Sequence, residues 1–282
     1  AIRRQRQMCI RDRDHKLLEK EFQADGIKIN WHNMGTSPQA ARAMGSGSLD
    51  IAGNMNTAAL LMLNSEGLPV RVVTGTAHPT SNFAIVSKPG TELSVRDLKG
   101  KQVVGPKGTF LHQLLAAALE KEGMKESDVQ FINTGIPKAL STILAGHADA
   151  ALVASSALIK ANKAGAKTII NAERLVEPTL VMTTTKQFAE EHPDIVKRVD
   201  KVYAESLQWM KDHPAETAEM GAKEHGISIE DAKTLMERSH YFDEMTTKDL
   251  EDLKVNQKFL RDNGMMRNEV TVEELVLPVA ME

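Results

Sequence analysis

Pro38 to Leu60, PQAARAMGSGSLDIAGNMNTAAL, recurs 99 residues on, without a gap, as PKALSTILAGHADAALVASSALI from Pro137 to Ile159. Each copy reads as helix, tight turn, strand, polar corner and helix. Ala40, Ala41, Ala43 and Met44 give the first helix an apolar face. Gly45 and Gly47 stop it, because glycine enters the left-handed turn conformation at little cost. Leu49 to Ala52 is short and apolar enough for a buried strand. The polar residues Asn54, Asn56 and Thr57 follow, and Ala58 opens the next helix. In register, Gly47 matches Gly146, Asp50 matches Asp149, and Asn56-Thr57 falls on Ser155-Ser156. A duplicated α/β unit predicts two similar lobes.

Each strand-to-helix corner leaves backbone N–H groups unpaired at the positive end of a helix dipole. Such a corner holds an anion. The competing reading makes Asn56, Thr57, Ser155 and Ser156 plain N-caps, the commonest role for these residue types. Two equivalent corners, one in each lobe, favour a shared cleft. A further strand-to-helix junction, Gly105-Pro106-Lys107-Gly108-Thr109 before a helix starting at Phe110, has the look of a phosphate cradle. It lacks both the Gly-Lys-Ser/Thr ending of a Walker A loop and GxGxxG, so it reads as a general anion corner.

Composition narrows the function classes. With 282 residues the chain has room for two modest cores. A net charge of −3 gives no sign of nucleic acid as a partner. Cys9 is the only cysteine, which excludes an intramolecular disulfide and cysteine-rich metal sites. No HExxH, GxSxG or CxxC pair occurs, so no catalytic, metal or cofactor site is read from motifs. His112 and His78 read as satisfied or surface histidines before ligands. Glu177, in the return loop before the last strand, could hold a ligand amine, although a lone loop glutamate is ordinarily solvated.

Three phrases carry a family likeness: SVRDLKGKQVVGPKGT, IPKALSTILAGHADAALV and HPDIVKRVDKVYAESLQWMKDHPAETAEM. They resemble the periplasmic solute-binding proteins of ABC importers. Within these they are most similar to the type-II group of nitrate-, taurine- and alkanesulfonate-binding proteins and their thiamine-precursor-binding relatives. The resemblance implies a two-lobed α/β fold, each lobe a mixed sheet flanked by helices. Lobe one would hold residues 14–87 and 179–282, lobe two 88–178, with crossovers near Asn82–Ser87 and Thr179–Thr183. It implies ligand contacts at Asn54, Asn56 and Thr57, at Lys107, Gly108, Thr109 and Phe110, and at Ser155 and Ser156. Glu177 is added for a ligand amine. It further implies a membrane permease as partner, a monomer without cofactor, and a periplasmic or membrane-anchored extracellular location.

The ligand expected from the polar corners and few aromatics is a small organic anion: sulfonate, then taurine or a nitrate-like ion. The alternatives are a thiamine-precursor-like pyrimidine, a pyrimidine-synthase-like enzyme, for which the resemblance demands more cysteines, and a regulator's effector domain, for which no helix-turn-helix segment is present. Residues 1–13, AIRRQRQMCIRDR, are basic and aperiodic. They read as a foreign tail standing where the family's central lobe-one strand was lost. The expectation is therefore a fragment with that strand missing, the tail outside the core, and lobe one less stable than lobe two.

Overall fold

The computed structural model describes residues 2–5, 15–34 and 36–281. The chain divides into two compact units: unit 1 comprises residues 1–78, 179–233 and 240–282, and unit 2 residues 79–178 and 234–239.

Unit 1 is built on a five-stranded sheet in the order β2-β1-β3-β10-β4. Its strands are β1 (Ile2–Gln5), β2 (Ile29–His32), β3 (Ile51–Asn56), β10 (Leu180–Thr185) and β4 (Val70–Ala77). β1 runs parallel to β2 and β3, whereas β10 is antiparallel to both β3 and β4. Unit 2 repeats this plan in the order β7-β6-β8-β5-β9. Here β6 (Gln102–Gly105) is parallel to β7 (Gln130–Asn133) and β8 (Ala150–Ala154), and β5 (Phe83–Ser87) is antiparallel to β8 and to β9 (Thr168–Asn171). The duplication read from the sequence is thus a duplication of sheet topology.

It holds helix by helix as well. The helices of the described chain begin with α1 (Leu17–Glu21), α2 (Ser37–Gly45) and α3 (Thr57–Ser65) in unit 1. Unit 2 follows with α4 (Phe110–Lys121), α5 (Ile136–Leu144) and α6 (Ser156–Lys163). α2 and α5 have the same length at the 99-residue offset, and both are followed by a left-handed glycine, Gly47 at φ +68° and Gly146 at φ +74°. A side chain at either position would strain the turn that feeds the next strand.

The C-terminal part of unit 1 is helical: α7 (Lys186–Glu191), α8 (Pro193–Asp212), α9 (Pro214–His225), α10 (Ile229–Glu237), α11 (Thr247–Asp262) and α12 (Val272–Leu275). α11 and α12 pack with α2 and α3 around Leu49, Met55, Leu60, Val72, Leu253 and Leu260. On the sheet's other face α1 and α8 enclose Phe22, Ile51, Val73 and Val199. Unit 2 has its own core, with Val86, Val104, Ile143, Ala151 and Val153 among its buried members.

Two expectations meet a different arrangement. The inner strand expected to be missing from the first sheet is formed by Ile2–Gln5, which lies between β2 and β3. The Ile2 side chain is 2% exposed and joins the cluster around Phe22 and Ile51. An extended backbone supplies the ladder hydrogen bonds whatever side chains it carries, and Ile2 places the apolar residue of this stretch in the core. Ala1 and Arg6–Arg13, the rest of the expected tail, lie outside the described residues. The other difference is the first passage between units. It falls at His78 and Pro79 rather than after Ser87, because β5 hydrogen-bonds β8 and β9 of the second sheet. The short segment 234–239 also groups with unit 2, where the Asn82 amide donates to the Leu235 carbonyl and the Ser239 hydroxyl. No sequence signal marked that excursion.

Candidate functional site

In unit 1 the corner between β3 and α3 is closed by its own side chains. Asn56 is the N-cap of α3: its Oδ1 accepts the Ala59 N–H at 2.8 Å. Its Nδ2 donates to the Ser37 hydroxyl at 3.0 Å, and its backbone N–H does so at 3.3 Å. Thr57 donates its N–H to the Thr179 carbonyl at 3.1 Å and is 0% exposed. Its hydroxyl has no partner among the described residues. Asn54 is half-buried and accepts from the Thr76 hydroxyl at 3.4 Å. The neighbouring helix α2 is capped too, with the Thr36 hydroxyl accepting the Gln39 N–H.

Unit 2 is arranged differently. Three helices, α4, α5 and α6, follow its three mutually parallel strands β6, β7 and β8, and none of them starts with a side-chain cap. At α4 the N-cap residue Thr109 turns its hydroxyl back onto the Pro106 carbonyl at 2.9 Å. At α5 the N-cap is Gly135. At α6 it is Ser155, whose backbone sits at φ +52°, ψ −126°. That conformation costs a non-glycine residue about 1–3 kcal/mol. It is held in place by the Ser155 N–H donating to the Asn82 carbonyl at 2.8 Å. Ser155 and Ser156 are both half-buried. No side chain therefore caps the first-turn amides of these helices, where the helix dipole is positive.

The loop before α4 is more committed than its sequence suggests. The Lys107 N–H donates to the Asn133 side chain at 2.9 Å. The Gly108 N–H donates to His112 Nδ1 at 3.3 Å, so neither of these amides is open to a ligand, as the cradle reading would have it for Gly108. Lys107 itself is exposed. Phe110 is 0% exposed and meets Phe83 edge-to-face, so its ring belongs to the core of unit 2 and only its backbone N–H remains for the site. Glu177 is exposed in the return loop.

The remaining sequence candidates are structural. His112 is buried against Phe131 and Glu126. His78, in unit 1, stacks on Phe242 and contacts Asp249 at 3.2 Å and the Thr179 hydroxyl at 3.3 Å. Burial pushes the Asp249 carboxyl up, but bonds from His78 and from the Thr246 hydroxyl and N–H outweigh it and bring it down to about 2. The duplicated aspartates are ties as well. Asp149 accepts the Gln102 N–H at 3.1 Å and the Lys88 ammonium at 3.2 Å. The Gln102 bond first, then Lys88 against the opposing effect of burial, hold its carboxyl below the usual range. Asp50 is buried beneath β3, where Thr184 donates to its carbonyl.

Comparison with known proteins decides the family. The NMT1/THI5-like family model matches residues 21–217. The chain belongs to that family. Among curated relatives it is 29% identical to the taurine-binding periplasmic protein of Escherichia coli (strain K12), over 65% of this chain and 58% of that protein. The chain spans less than two thirds of the length of the first curated relatives it matches. Its fold matches the alkanesulfonate-binding protein SsuA from Xanthomonas axonopodis pv. citri bound to MOPS, with a TM-score of 0.83 and 20% identity over 98% of this chain and 96% of that one. It also matches the desulfurization enzyme DszB, with a TM-score of 0.71 and 13% identity over 98% of this chain and 96% of that one. The same fold thus serves binding proteins and an enzyme, and the chemistry must be argued from side chains.

Within this NMT1/THI5-like chain the sequence reading missed Ser37 and Asn133. Ser37 stands in Thr36-Ser37-Pro38, a recognisable helix start with proline in the first turn. Asn133 carries no local signal, since it reaches Lys107 across two neighbouring strands. The relatives that match by sequence are binding proteins.

Proposed function

We propose that the chain is the solute-binding component of an ABC importer and that it captures a small organic anion, a sulfonate first and taurine next. The observation that carries this reading is the set of three uncapped helix starts, α4, α5 and α6, at the ends of the parallel strands of unit 2. Backbone N–H donors and helix dipoles suit a compact oxyanion, which they bind without a proton acceptor in the way. Lys107 adds a mobile positive charge at the same edge. Ser155 and Ser156 add hydroxyl donors. The exposed Glu177 carboxylate pairs with the ammonium when the ligand is taurine, whereas Asn56 and Thr57, buried and bonded within unit 1, are left to structure.

The names of the relatives, a taurine-binding and an alkanesulfonate-binding protein, point the same way. A thiamine-precursor-like pyrimidine would need an open aromatic face to stack on. Phe83 and Phe110 pack on each other, and Phe131 lies against His112. The binding reading carries with it a membrane permease as partner, action as a monomer, and a periplasmic or membrane-tethered extracellular place. Among the described residues no helix is long and apolar enough to cross a membrane.

A thermal-shift series with ethanesulfonate, taurine, nitrate and a neutral aminopyrimidine tests the proposal. A ligand held at about 100 times its dissociation constant adds about 2.7 kcal/mol to the native state, which raises the midpoint by about 5–10 °C in a chain of this size. Ethanesulfonate and taurine are expected to do so, and the pyrimidine is not. A shift with the pyrimidine alone, or with none of the four, would overturn the reading.

A further inference from the structure

His112 is the buried titratable side chain among the described residues of unit 2, at 4% exposure, and it touches the loop before α4 without belonging to it. Its Nδ1 accepts the Gly108 N–H at 3.3 Å. A ring nitrogen accepts only when it carries no proton, so the ring's hydrogen sits on Nε2. From there it is donated to Glu126 Oε2 at 2.7 Å. The ring lies flat on Phe131, with centroids 5.0 Å apart and planes 9° apart, which stops it from turning over. Gly108 has a left-handed backbone, φ +67°, and a Cβ added to it would meet nothing within 4 Å. No side chain of its own anchors this residue; its N–H is tied to His112, flanked by the bonds of Lys107 to Asn133 and of Thr109 to Pro106.

We propose that His112 is a positioning residue for the anion site: its neutral ring, oriented by Glu126, pins Gly108 and so holds the Lys107–Thr109 loop in the form that leaves the start of α4 open. The proposal rests on the reading of that loop as part of the anion site. Protonation of Nδ1 replaces the acceptor with a donor that faces the Gly108 N–H. The Glu126 bond survives this, since Nε2 still donates. The change falls on the Gly108 side alone, so the loop is released while the helix stays.

The charged groups around the ring are few. Glu126 faces Nε2, and Lys125 and Asp128 on the same turn are tied by the Lys125 N–H to Asp128 Oδ2 at 2.8 Å. Lys107 rides on the loop itself. β5 (FAIVS) and β8 (AALVA), packed against α4, bring no titratable side chain, and β7 brings Phe131.

The test uses ethanesulfonate as probe and two independent readouts. Nitrogen-15 NMR of the ligand-free protein follows the His112 ring and the Gly108 amide across pH. The expected result is a bare Nδ1 in the neutral ring and a Gly108 amide whose shift and exchange protection change in step with Nδ1 protonation. Affinity for ethanesulfonate is then measured against pH in the wild type and in His112→Asn and His112→Phe. The wild type should lose about tenfold in affinity as His112 protonates, the scale of one lost hydrogen bond. His112→Asn, whose amide oxygen can stand in for Nδ1 as acceptor, should bind like the wild type without that acid limb. His112→Phe should bind about tenfold more weakly at every pH.

The proposal is overturned if the Gly108 amide ignores the His112 titration. It is equally overturned if affinity rises as the ring charges, or if folded His112→Phe binds like the wild type. Failure of the wild type to bind ethanesulfonate would overturn the reading of the site, and the NMR titration would still decide the His112–Gly108 coupling.

Discussion

Units 1 and 2 have the same sheet topology and a detectable common sequence, yet their helix starts are finished in opposite ways. In unit 1 Thr36 and Asn56 cap α2 and α3, and Ser37 ties the two corners together. In unit 2 the equivalent helices α5 and α6, and α4 beside them, start on Gly135, Ser155 and Thr109 without a side-chain cap. Ser155 even holds a strained backbone to do so. A cap stabilises a helix by satisfying the very donors that a ligand would use. At these positions unit 1 satisfies its helix starts with its own side chains and unit 2 does not, although the two stretches share one sequence pattern.

The strongest way to break this comparison is to give unit 2 the cap it lacks. Thr109→Asp places a carboxylate at the start of α4, where the dipole favours it. Affinity for ethanesulfonate should fall by about 100-fold, or about 2.7 kcal/mol, through competition and like-charge repulsion. The unfolding midpoint should hold or rise. Calorimetry with a parallel thermal melt checks both halves.

A slightly smaller effect concerns unit 1 and acid. The Asp249 carboxyl, ordinarily near 3.8, lies at about 2 in the folded state. Its unfolded form binds protons more readily, so it adds stability at neutral pH, and that addition is lost as pH falls from about 4 through 2. Asp249→Asn should cost about 2 kcal/mol at pH 7 and flatten the loss of stability between those limits. Urea melts across pH read it. An unchanged acid limb in the variant would show that Asp249 does not carry it.

Asn56→Ala removes a cap from unit 1. Stability should fall by about 1 kcal/mol while affinity for ethanesulfonate changes by less than about threefold. If affinity collapses with stability intact, the unit-1 corner is a ligand site after all and the contrast between the units fails. The smallest effect is expected for Ser155→Gly. Glycine tolerates the φ of +52°, so stability should rise by about 0.5 kcal/mol, strain relief being partly offset by the freer unfolded chain. The melt should show it, and the loss of the hydroxyl should weaken binding.

The duplicated phrase made the two-unit plan legible, because helix, glycine turn, buried strand and corner are all local signals, whereas the strand order of the sheets came only from the structure. It set α2 against α5 and β3 against β8 at a single offset. The state of the corners was not legible. Asn56 and Ser155 occupy equivalent positions and both are good cap residues, yet only Asn56 caps. The difference lies in contacts from distant residues, the Ser37 hydroxyl for one and the Asn82 carbonyl for the other. His112 and Gly108 are four residues apart, but the bond between them depends on Glu126 and Phe131 fixing the ring. β1 was missed for another reason. A strand in the middle of a sheet needs backbone more than pattern, and IRRQ has almost no pattern to read.

The most direct test of the asymmetry is a titration of the nitrogen-15-labelled protein with ethanesulfonate, followed amide by amide. The expected result is large shifts at Phe110–His112 and at Ser156–Ala157, with Ala58 and Ala59 of α3 moving little. Shifts concentrated at Ala58 and Ala59, with the starts of α4 and α6 unmoved, would contradict it.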